Sequence, residues 1–353
     1  MPTLSSLGWS PFFQRQVTTT EYDRLARVAA EHRGAYEAWT TEGVRAATLA
    51  GRLHHEQSAP PGVGDWVVLR ETPDADAPAV IDRLLERRTL FTRGAAGRGT
   101  RTQVIAANVD LVFAVTGLDA DFNVRRIERY LARIYASGAE PAVILNKADL
   151  CDDTTAAMIE VERHCRNVPI LVTSAVTGQG IGALLAMIEA GMTVAFVGSS
   201  GAGKSSLINA LSGQQVMPTG GVRESDSRGR HTTTHRQLIR LSNDGVVLDT
   251  PGMRELQLLD ADGLDDVFDD IAALAQQCRF RDCRHDGEPG CAVIAAANGD
   301  PLVSRRLAHY RKLEREAEAN EVRHDVRLRR KAEREWGRMA DQVRTLRSRD
   351  GKP

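Results

Sequence analysis

Several short patterns in this chain have the residue types and spacing of nucleotide chemistry. The first is Gly198-Ser199-Ser200-Gly201-Ala202-Gly203-Lys204-Ser205, which follows an apolar run at 194–197 and precedes a helical stretch opening with Ser206-Leu207-Ile208. Glycines let a backbone wrap a polyphosphate with its N–H groups, a helix N-terminus adds positive potential, and the lysine and serine can reach the terminal phosphates and a Mg2+ ion. A phosphate loop does not choose a base. Asn146-Lys147-Ala148-Asp149, after the apolar run 142–145, can make that choice. A carboxylate at Asp149 can accept the N1–H and the N2 amino hydrogens of guanine, whereas adenine offers an acceptor at N1 and nothing at C2. Thr173-Ser174-Ala175, after 170–172, offers small side chains and a backbone N–H to the guanine O6.

Two further patterns are suited to sensing a γ-phosphate. Asp249-Thr250-Pro251-Gly252 closes a short apolar run at 246–248, so Asp249 is placed to hold Mg2+ through water and the Gly252 N–H to touch the phosphate. Gly229-Arg230-His231-Thr232-Thr233-Thr234 offers a threonine hydroxyl and carbonyl to the same metal; Thr233 is favoured, with Thr232 and Thr234 as alternatives. Met253 follows Gly252 in place of a glutamine able to orient attacking water, which predicts slow intrinsic hydrolysis. His231 is the nearest candidate for that task, and a purely structural histidine is the other reading. Farther on, Cys278-x4-Cys283-x-His285-x5-Cys291 offers three thiols and an imidazole, enough for a closed tetrahedral Zn2+ site that orders residues 262–308. No CxxC is present, which disfavours redox catalysis.

These loops need a scaffold. From Asp110 onward apolar runs alternate with helical stretches at 111–115, 124–136, 142–145, 154–166, 170–172, 181–190 and 194–197, followed by a helix at 204–211 and strands at 236–241 and 246–248. That alternation predicts a doubly wound α/β sheet of about six strands, whose ends collect the loops. Upstream, residues 43–90 read as short strands broken by Pro60-Pro61-Gly62 and Pro73-Asp74. A small β-barrel is expected there, with Arg83, Arg87, Arg88, Arg93, Arg98 and Arg101 around its exit. Such a basic rim suits oligonucleotides, and a solvated arginine face is the plainer alternative. Residues 217–235 are rich in Gly, Ser, Thr and Arg without apolar periodicity, a loop length that marks function or disorder.

Composition bounds the rest. A chain of 353 residues with 42% apolar and 26% charged residues is an ordinary globular sequence of two or three domains, which excludes fibres, disordered chains and disulfide-stapled mini-proteins. No stretch approaches the roughly 20 apolar residues of a membrane span, and residues 1–16 lack a signal-peptide pattern. The expectation is a cytoplasmic protein with no membrane partner. Net charge is −1, yet residues 305–353 hold 16 Lys+Arg against 9 Asp+Glu, a local +7. With sparse apolar points at Val322, Val326, Trp336, Met339, Val343 and Leu346, that end reads as a helix suited to RNA contact.

In chain order the motifs run NKAD, TSA, GSSGAGKS, GRHTTT, DTPG, whereas ordinary GTPases begin with the phosphate loop and end with the base motifs. The chain thus resembles a circularly permuted GTPase. With the barrel and the CxHC cluster it is similar to the ribosome small-subunit-dependent GTPase A family over residues ~40–310. Val63-Gly64-Asp65-Trp66, Ala106-Ala107-Asn108-Val109-Asp110 and NVRRIERYL at 123–131 add to the likeness. The resemblance implies an OB-fold barrel, GTP hydrolysis stimulated by the small ribosomal subunit, contact with its rRNA, and a late role in maturation of the 30S subunit.

The expected organisation is an extension at 1–40, an OB-fold barrel at 41–105, a permuted G domain at 106–262, a mostly helical zinc-binding domain at 263–308 and a basic helical tail at 309–353. The expected nucleotide contacts are Asn146, Lys147, Asp149, Ser174, Ala175, Gly198, Ser199, Ser200, Gly201, Ala202, Gly203, Lys204, Ser205, Ser206, Asp249 and Gly252. Ser205, Thr233 and Asp249 are the Mg2+ candidates, Lys204, Thr233 and His231 the catalytic ones, and Cys278, Cys283, His285 and Cys291 the ligands of one Zn2+. GTP or GDP and a monomeric state complete the expectation. An RNA-binding module holding a structural guanine nucleotide is the alternative, and the base motif disfavours a P-loop ATPase or small-molecule kinase.

Overall fold

The computed structural model describes residues 1–32, 34–55, 60–70, 77–94, 102–217, 236–249 and 261–324, which fall into two compact units. In the first unit, β1 (Leu25–His32), β2 (Ala35–Thr40), β3 (Gly43–Leu49), β4 (Trp66–Arg70) and β5 (Ala79–Leu84) close in the order β1-β2-β3-β5-β4-β1. Only β3 and β5 pair in parallel. Register shifts at Val28/Ala30 and Val68/Leu69 supply the bends that closure requires. Ala26, Val28, Tyr36, Ala38, Ala47, Val67, Leu69, Ala79 and Ile81 fill the interior, small residues offsetting large ones. This is the OB-fold barrel.

The barrel begins at Leu25 and not at residue 41, so the segment set aside as an extension supplies two of its five strands. Residues before Leu25 also pack on it. Leu7, Phe13, Leu25, Trp66, Val68 and Leu85 form a second apolar cluster, with the Trp9 ring edge-on to Trp66 at 4.8 Å.

The α/β sheet is built from β8 (Leu111–Gly117), β9 (Glu140–Asn146), β10 (Ile170–Val172), β11 (Thr193–Val197), β12 (Gln237–Arg240) and β13 (Val246–Asp249), after a two-stranded β6–β7 ribbon (Leu90–Gly94 and Thr102–Ala107). Its order is β10-β9-β8-β11-β13-β12, parallel except for the antiparallel β12–β13 pair. Strand side chains alternate, so Leu111, Phe113 and Val115 share one core with Leu184 and with Leu207, Ile208 and Leu211. The helix Val124–Ala136 packs against β8 and β9, its N-terminus capped by Asn123.

Barrel and sheet are continuous through a β1–β12 pairing at Ala30 and Gln237. Beside it lies a polar joint. Arg27 is 1% exposed, and its guanidinium donates to the Leu7, Gly64 and Asn108 carbonyls and to Thr193 Oγ1, at 2.6, 3.3, 3.2 and 2.7 Å. Burial pushes its pKa down to about 9, so it remains a cation at neutral pH. Gly64 has φ +96°, and a Cβ there would lie 2.0 Å from the Ala107 carbonyl oxygen. Asn108 donates to Gly64 O at 3.1 Å and accepts from Arg88 N at 2.8 Å. The segments 63–66 and 106–110 therefore form the seam between barrel and sheet, which gives both a structural reason.

The arginines expected to form a basic rim are in part committed to this architecture. Arg87 clasps the fully buried Asp65 through two bonds of 2.8 and 2.7 Å, Arg88 pairs with Asp110, and Arg83 pairs with Glu21 at 2.7 Å. Arg98 and Arg101 lie outside the described residues, as does the side chain of Arg93.

The second unit contains helices at Leu264–Val267, Asp269–Ala275, Ala292–Gly299 and Pro301–His324. Leu264, Val267, Phe268, Ile271, Val293, Leu307, Leu313 and Ala317 are buried. Arg306 reaches both oxygens of Asp270 at 2.8 and 2.7 Å and lies 5.0 Å from the Phe268 ring centre. The last helix runs straight across the expected boundary at 308/309. Because Leu313 and Ala317 are buried, the first part of the supposed tail belongs to the domain. Val326, Trp336, Met339, Val343 and Leu346 lie outside the described residues. Among the described residues no helix is long and apolar enough to cross a membrane.

Candidate functional site

The parallel strands place the motifs at one edge. Gly117 of β8 aligns with Asn146 of β9, Leu145 with Val172 of β10, Ala114 with Val197 of β11, and Ala195 with Leu248 of β13. The loops after β8, β9, β10 and β11 leave the sheet at its C-terminal edge, where Asp249 also ends β13 and where open α/β sheets bind ligands.

Residues 198–203 connect β11 to the helix Lys204–Ser212. Gly203 occupies the N-cap with φ +94°, and no side chain caps this helix, so its first N–H groups are open to an anion. A Cβ on Gly203 would fall 2.2 Å from Asn146 Nδ2, so the close approach of the base loop requires glycine there. Lys204 Nζ donates to the Gly198 and Ser199 carbonyls at 2.7 and 2.5 Å, folding back over the loop. Ser205 and Ser206 are half-buried in the first turn; Ser200 and Gly201 are exposed and Ala202 is buried.

The base loop is tied to this phosphate loop by Asn146, 2% exposed. Asn146 Nδ2 donates to the Ala202 carbonyl at 2.9 Å, and its Oδ1 accepts from Thr173 Oγ1 at 3.1 Å. Asp149 is exposed; its Oδ1 accepts from Ser174 Oγ at 2.5 Å, while Ser174 Oγ itself accepts from Thr177 N at 3.1 Å. Ala148 N donates to Thr173 O at 3.0 Å, joining the two base segments, with Ala175 half-buried beside them. Lys147 has φ +64°, and its Nζ donates to Asp119 Oδ2 at 2.6 Å. That bond to Lys147 holds the Asp119 carboxyl below its usual range.

Asp119 and Asp121 were not legible as site residues. Both lie in the loop after β8, and aspartates after a strand are ordinary turn residues. Asp121 accepts from Ser199 Oγ of the phosphate loop and pairs with Arg126.

Asp249 ends β13, beside β11 and its loop. His231, Thr232, Thr233, Thr234, Gly252 and Met253 lie outside the described residues. The structure thus brings together the base loops, the phosphate loop and the strand end that carries Asp249.

In the second unit, Cys278 Sγ and Cys291 Sγ lie 3.8 Å apart, and His285 Nδ1 is 3.6 and 3.5 Å from them. All four donor atoms, Cys283 Sγ included, fall within 4.8 Å of one another. A tetrahedral ion bonded at ~2.3 Å to sulfur and ~2.0 Å to nitrogen requires S···S edges of ~3.8 Å and S···N edges of ~3.5 Å, so the cluster fits such an ion. His285 adopts φ +59°, and Cys291 Sγ accepts from Ile294 N at 3.4 Å, capping the next helix. The loop is pinned by Glu288, which accepts from Arg284 N and Asp286 N at 2.9 and 2.7 Å.

The RsgA GTPase family model matches residues 84–259. A second model, for ABC transporters, matches residues 184–343, a stretch that includes the phosphate loop and leaves out the base segment at 146–149. A small ribosomal subunit biogenesis GTPase RsgA of Opitutus terrae is 49% identical to the chain, covering 89% of each. RsgA 2 of Vibrio parahaemolyticus is 48% identical over 90% of this chain and 86% of its own, and RsgA of Methanosarcina acetivorans 41% over 98% and 94%. Among solved structures, YjeQ from Thermotoga maritima aligns with TM-score 0.64 and 28% identity over 83% of this chain and 98% of its own. YloQ, described as a circularly permuted GTPase, shares the fold with TM-score 0.62 and 23% identity over 84% and 95%. With base and phosphate motifs converging in permuted order on one sheet edge, and with relatives matched over most of its length, the chain belongs to the RsgA GTPase family.

Proposed function

We propose that this chain hydrolyses GTP when engaged with the small ribosomal subunit and acts late in that subunit's maturation, in the cytoplasm and as a monomer. The observation that carries the nucleotide reading is the convergence of loops at the C-terminal sheet edge, with Asn146 joining base and phosphate segments. The names of relatives matched over most of their length support the ribosomal role.

In this reading Asp149 accepts from guanine, Ser174 orients that carboxylate, and Lys147 and Ala175 flank the base. Residues 198–206 wrap the phosphates with backbone N–H groups, and Lys204 swings from its carbonyl partners onto them. The open helix N-terminus suits phosphate, while Ser205 and Asp249 offer oxygen atoms that, with Thr233, would hold a Mg2+ ion, which when bound offsets charge on the phosphates. Gly252 contacts the γ-phosphate and His231 orients water. With Met253 beside Gly252, turnover of the free protein is low until the partner completes the arrangement. Zn2+ is the ion that the three cysteines and His285 select. The barrel and the basic residues of 305–353 meet rRNA.

Steady-state GTP hydrolysis with and without purified small subunits tests this, with ATP and large subunits as controls. Stimulation by small subunits alone is the expected result. Tight guanine-nucleotide and RNA binding without stimulation would overturn it in favour of an RNA-binding module with a structural nucleotide, the reading that Met253 keeps open.

A further inference from the structure

The loop between β8 and the helix Val124–Ala136 carries no phosphate- or base-binding motif, yet its two carboxylates touch both halves of the nucleotide site. We propose that Asp119 and Asp121 are positioning residues that hold the base loop and the phosphate loop in one geometry, Asp119 through the Lys147 ammonium and Asp121 through the Ser199 hydroxyl. This rests on the reading of Lys147 and Asp149 as base-site residues.

Four observations support it. Lys147 Nζ to Asp119 Oδ2 is 2.6 Å, with each side chain 28% exposed, so the pair is sheltered without being sealed from a ligand. Lys147 sits at φ +64°, a conformation that costs a non-glycine residue energy and that surrounding contacts must sustain. Asp119 Oδ1 accepts from Asp121 N at 3.0 Å, which joins the two carboxylates into one unit. That unit is anchored at its far end, where Arg126 pairs with Asp121 and Arg126 N donates to the Asn123 cap at 3.1 Å. The loop is therefore a bracket fixed to a strand and a helix, with one arm on each nucleotide-binding segment.

The physical consequence is preorganisation. A free lysine loses rotamer freedom when its stem is laid along a base, whereas a lysine already tethered at its ammonium has lost that freedom beforehand. Asp119→Asn keeps the shape and the bond from Asp121 N but removes the charge that tethers Lys147. Affinity for GDP should fall by about tenfold, the range of one charge-assisted bond at a partly sheltered site.

The test is a double-mutant cycle on the full chain, with GDP affinity measured by titration for wild type, Asp119→Asn, Lys147→Met and the double variant. The proposal expects the double variant to bind GDP no worse than Lys147→Met alone. It is overturned if the two losses multiply, or if Asp119→Asn stays within twofold of wild type. Thermal melts with and without GDP separate positioning from damage: positioning leaves the ligand-free melting temperature in place and shrinks the GDP-induced shift, whereas a lowered ligand-free value with a full shift refutes the role. A parallel cycle of Asp121→Asn with Ser199→Ala should be non-additive in the same way, and additivity there removes the phosphate arm. Asp149→Asn, assayed with xanthosine diphosphate, checks the underlying reading independently. If that variant gains no xanthine affinity the base site itself is misassigned; if it does gain, while the cycles are additive, only the bracket falls.

Discussion

Asp149→Asn is the sharpest single perturbation of the base site, because the structure decides which way the new amide points. Ser174 Oγ donates to Asp149 Oδ1 at 2.5 Å, and its oxygen already accepts from Thr177 N at 3.1 Å. With one lone pair taken by Thr177 N and its hydrogen still needing an acceptor, the hydroxyl favours the amide oxygen at the Oδ1 position, which turns the NH2 group toward the base. Guanine presents N1–H and N2–H there, so two donors meet. The loss comprises a charge-assisted bond of about 1.5–3 kcal/mol and an unpaired donor of about 1–3 kcal/mol, or roughly 2.5–6 kcal/mol together. At about 1.4 kcal/mol per decade, GDP affinity should fall by about 10²–10⁴-fold. Xanthine keeps the N1–H but replaces the N2 amino group with an acceptor at C2, so xanthosine diphosphate should gain affinity relative to GDP. Calorimetric titration of both nucleotides reads the exchange. A GDP affinity within threefold of wild type would refute the orientation argument and the base-site assignment with it. Adding Ser174→Ala frees the amide to flip, and should narrow the xanthine preference.

Other outcomes follow from the same structure. Gly64→Ala places a Cβ 2.0 Å from the Ala107 carbonyl and forces φ +96° on an alanine; a loss of about 3 kcal/mol or more is expected, read as a lower denaturant midpoint, and an unchanged midpoint would contradict the seam. The Thr18 N–H and Arg83 hold the Glu21 carboxyl down at about 2, against 4.5 unfolded. A depressed carboxylate stabilises fully above the unfolded value and loses that stabilisation as pH falls from about 4.5 to about 2, so Glu21→Gln should flatten stability in that window by at most ~1 kcal/mol. Purified protein should carry one equivalent of zinc, and its removal with a chelator should reduce helicity by circular dichroism; a metal-free chain with unchanged helicity would deny the cluster a structural role.

Local chemistry was legible wherever one short segment contains its own physics. The phosphate loop needs only a strand, glycines and a helix start, and 198–205 display all three. The alternation of apolar runs and helices from Asp110 likewise announced a parallel sheet, because both periodicities are written along the chain. Neither strand at 25–40 was legible: β2 alternates between exposed and buried positions over only the six residues Ala35–Thr40, and β1 does not alternate. The first six residues of β1 are all buried, because Ala26 and Val28 line the barrel interior while Leu25 joins the second apolar cluster and Arg27 the seam, and a strand covered on both faces shows no alternation.

By itself the sequence determined the GTPase family, the permuted motif order and which three cysteines and histidine would gather into one cluster, since each depends on residue types at fixed short spacings. Only the tertiary structure decided that the barrel starts at Leu25, that Arg27 and Asp65 are buried in or beside its seam, and that Asp119 and Asp121 reach Lys147 and Ser199. Those facts join residues distant in the chain, from 28 positions between Asp119 and Lys147 to 166 between Arg27 and Thr193. A partner that far away leaves no periodicity or spacing to read. Arg27 and Asp119 become distinctive only when folding brings a carbonyl, a hydroxyl or an ammonium within hydrogen-bond reach.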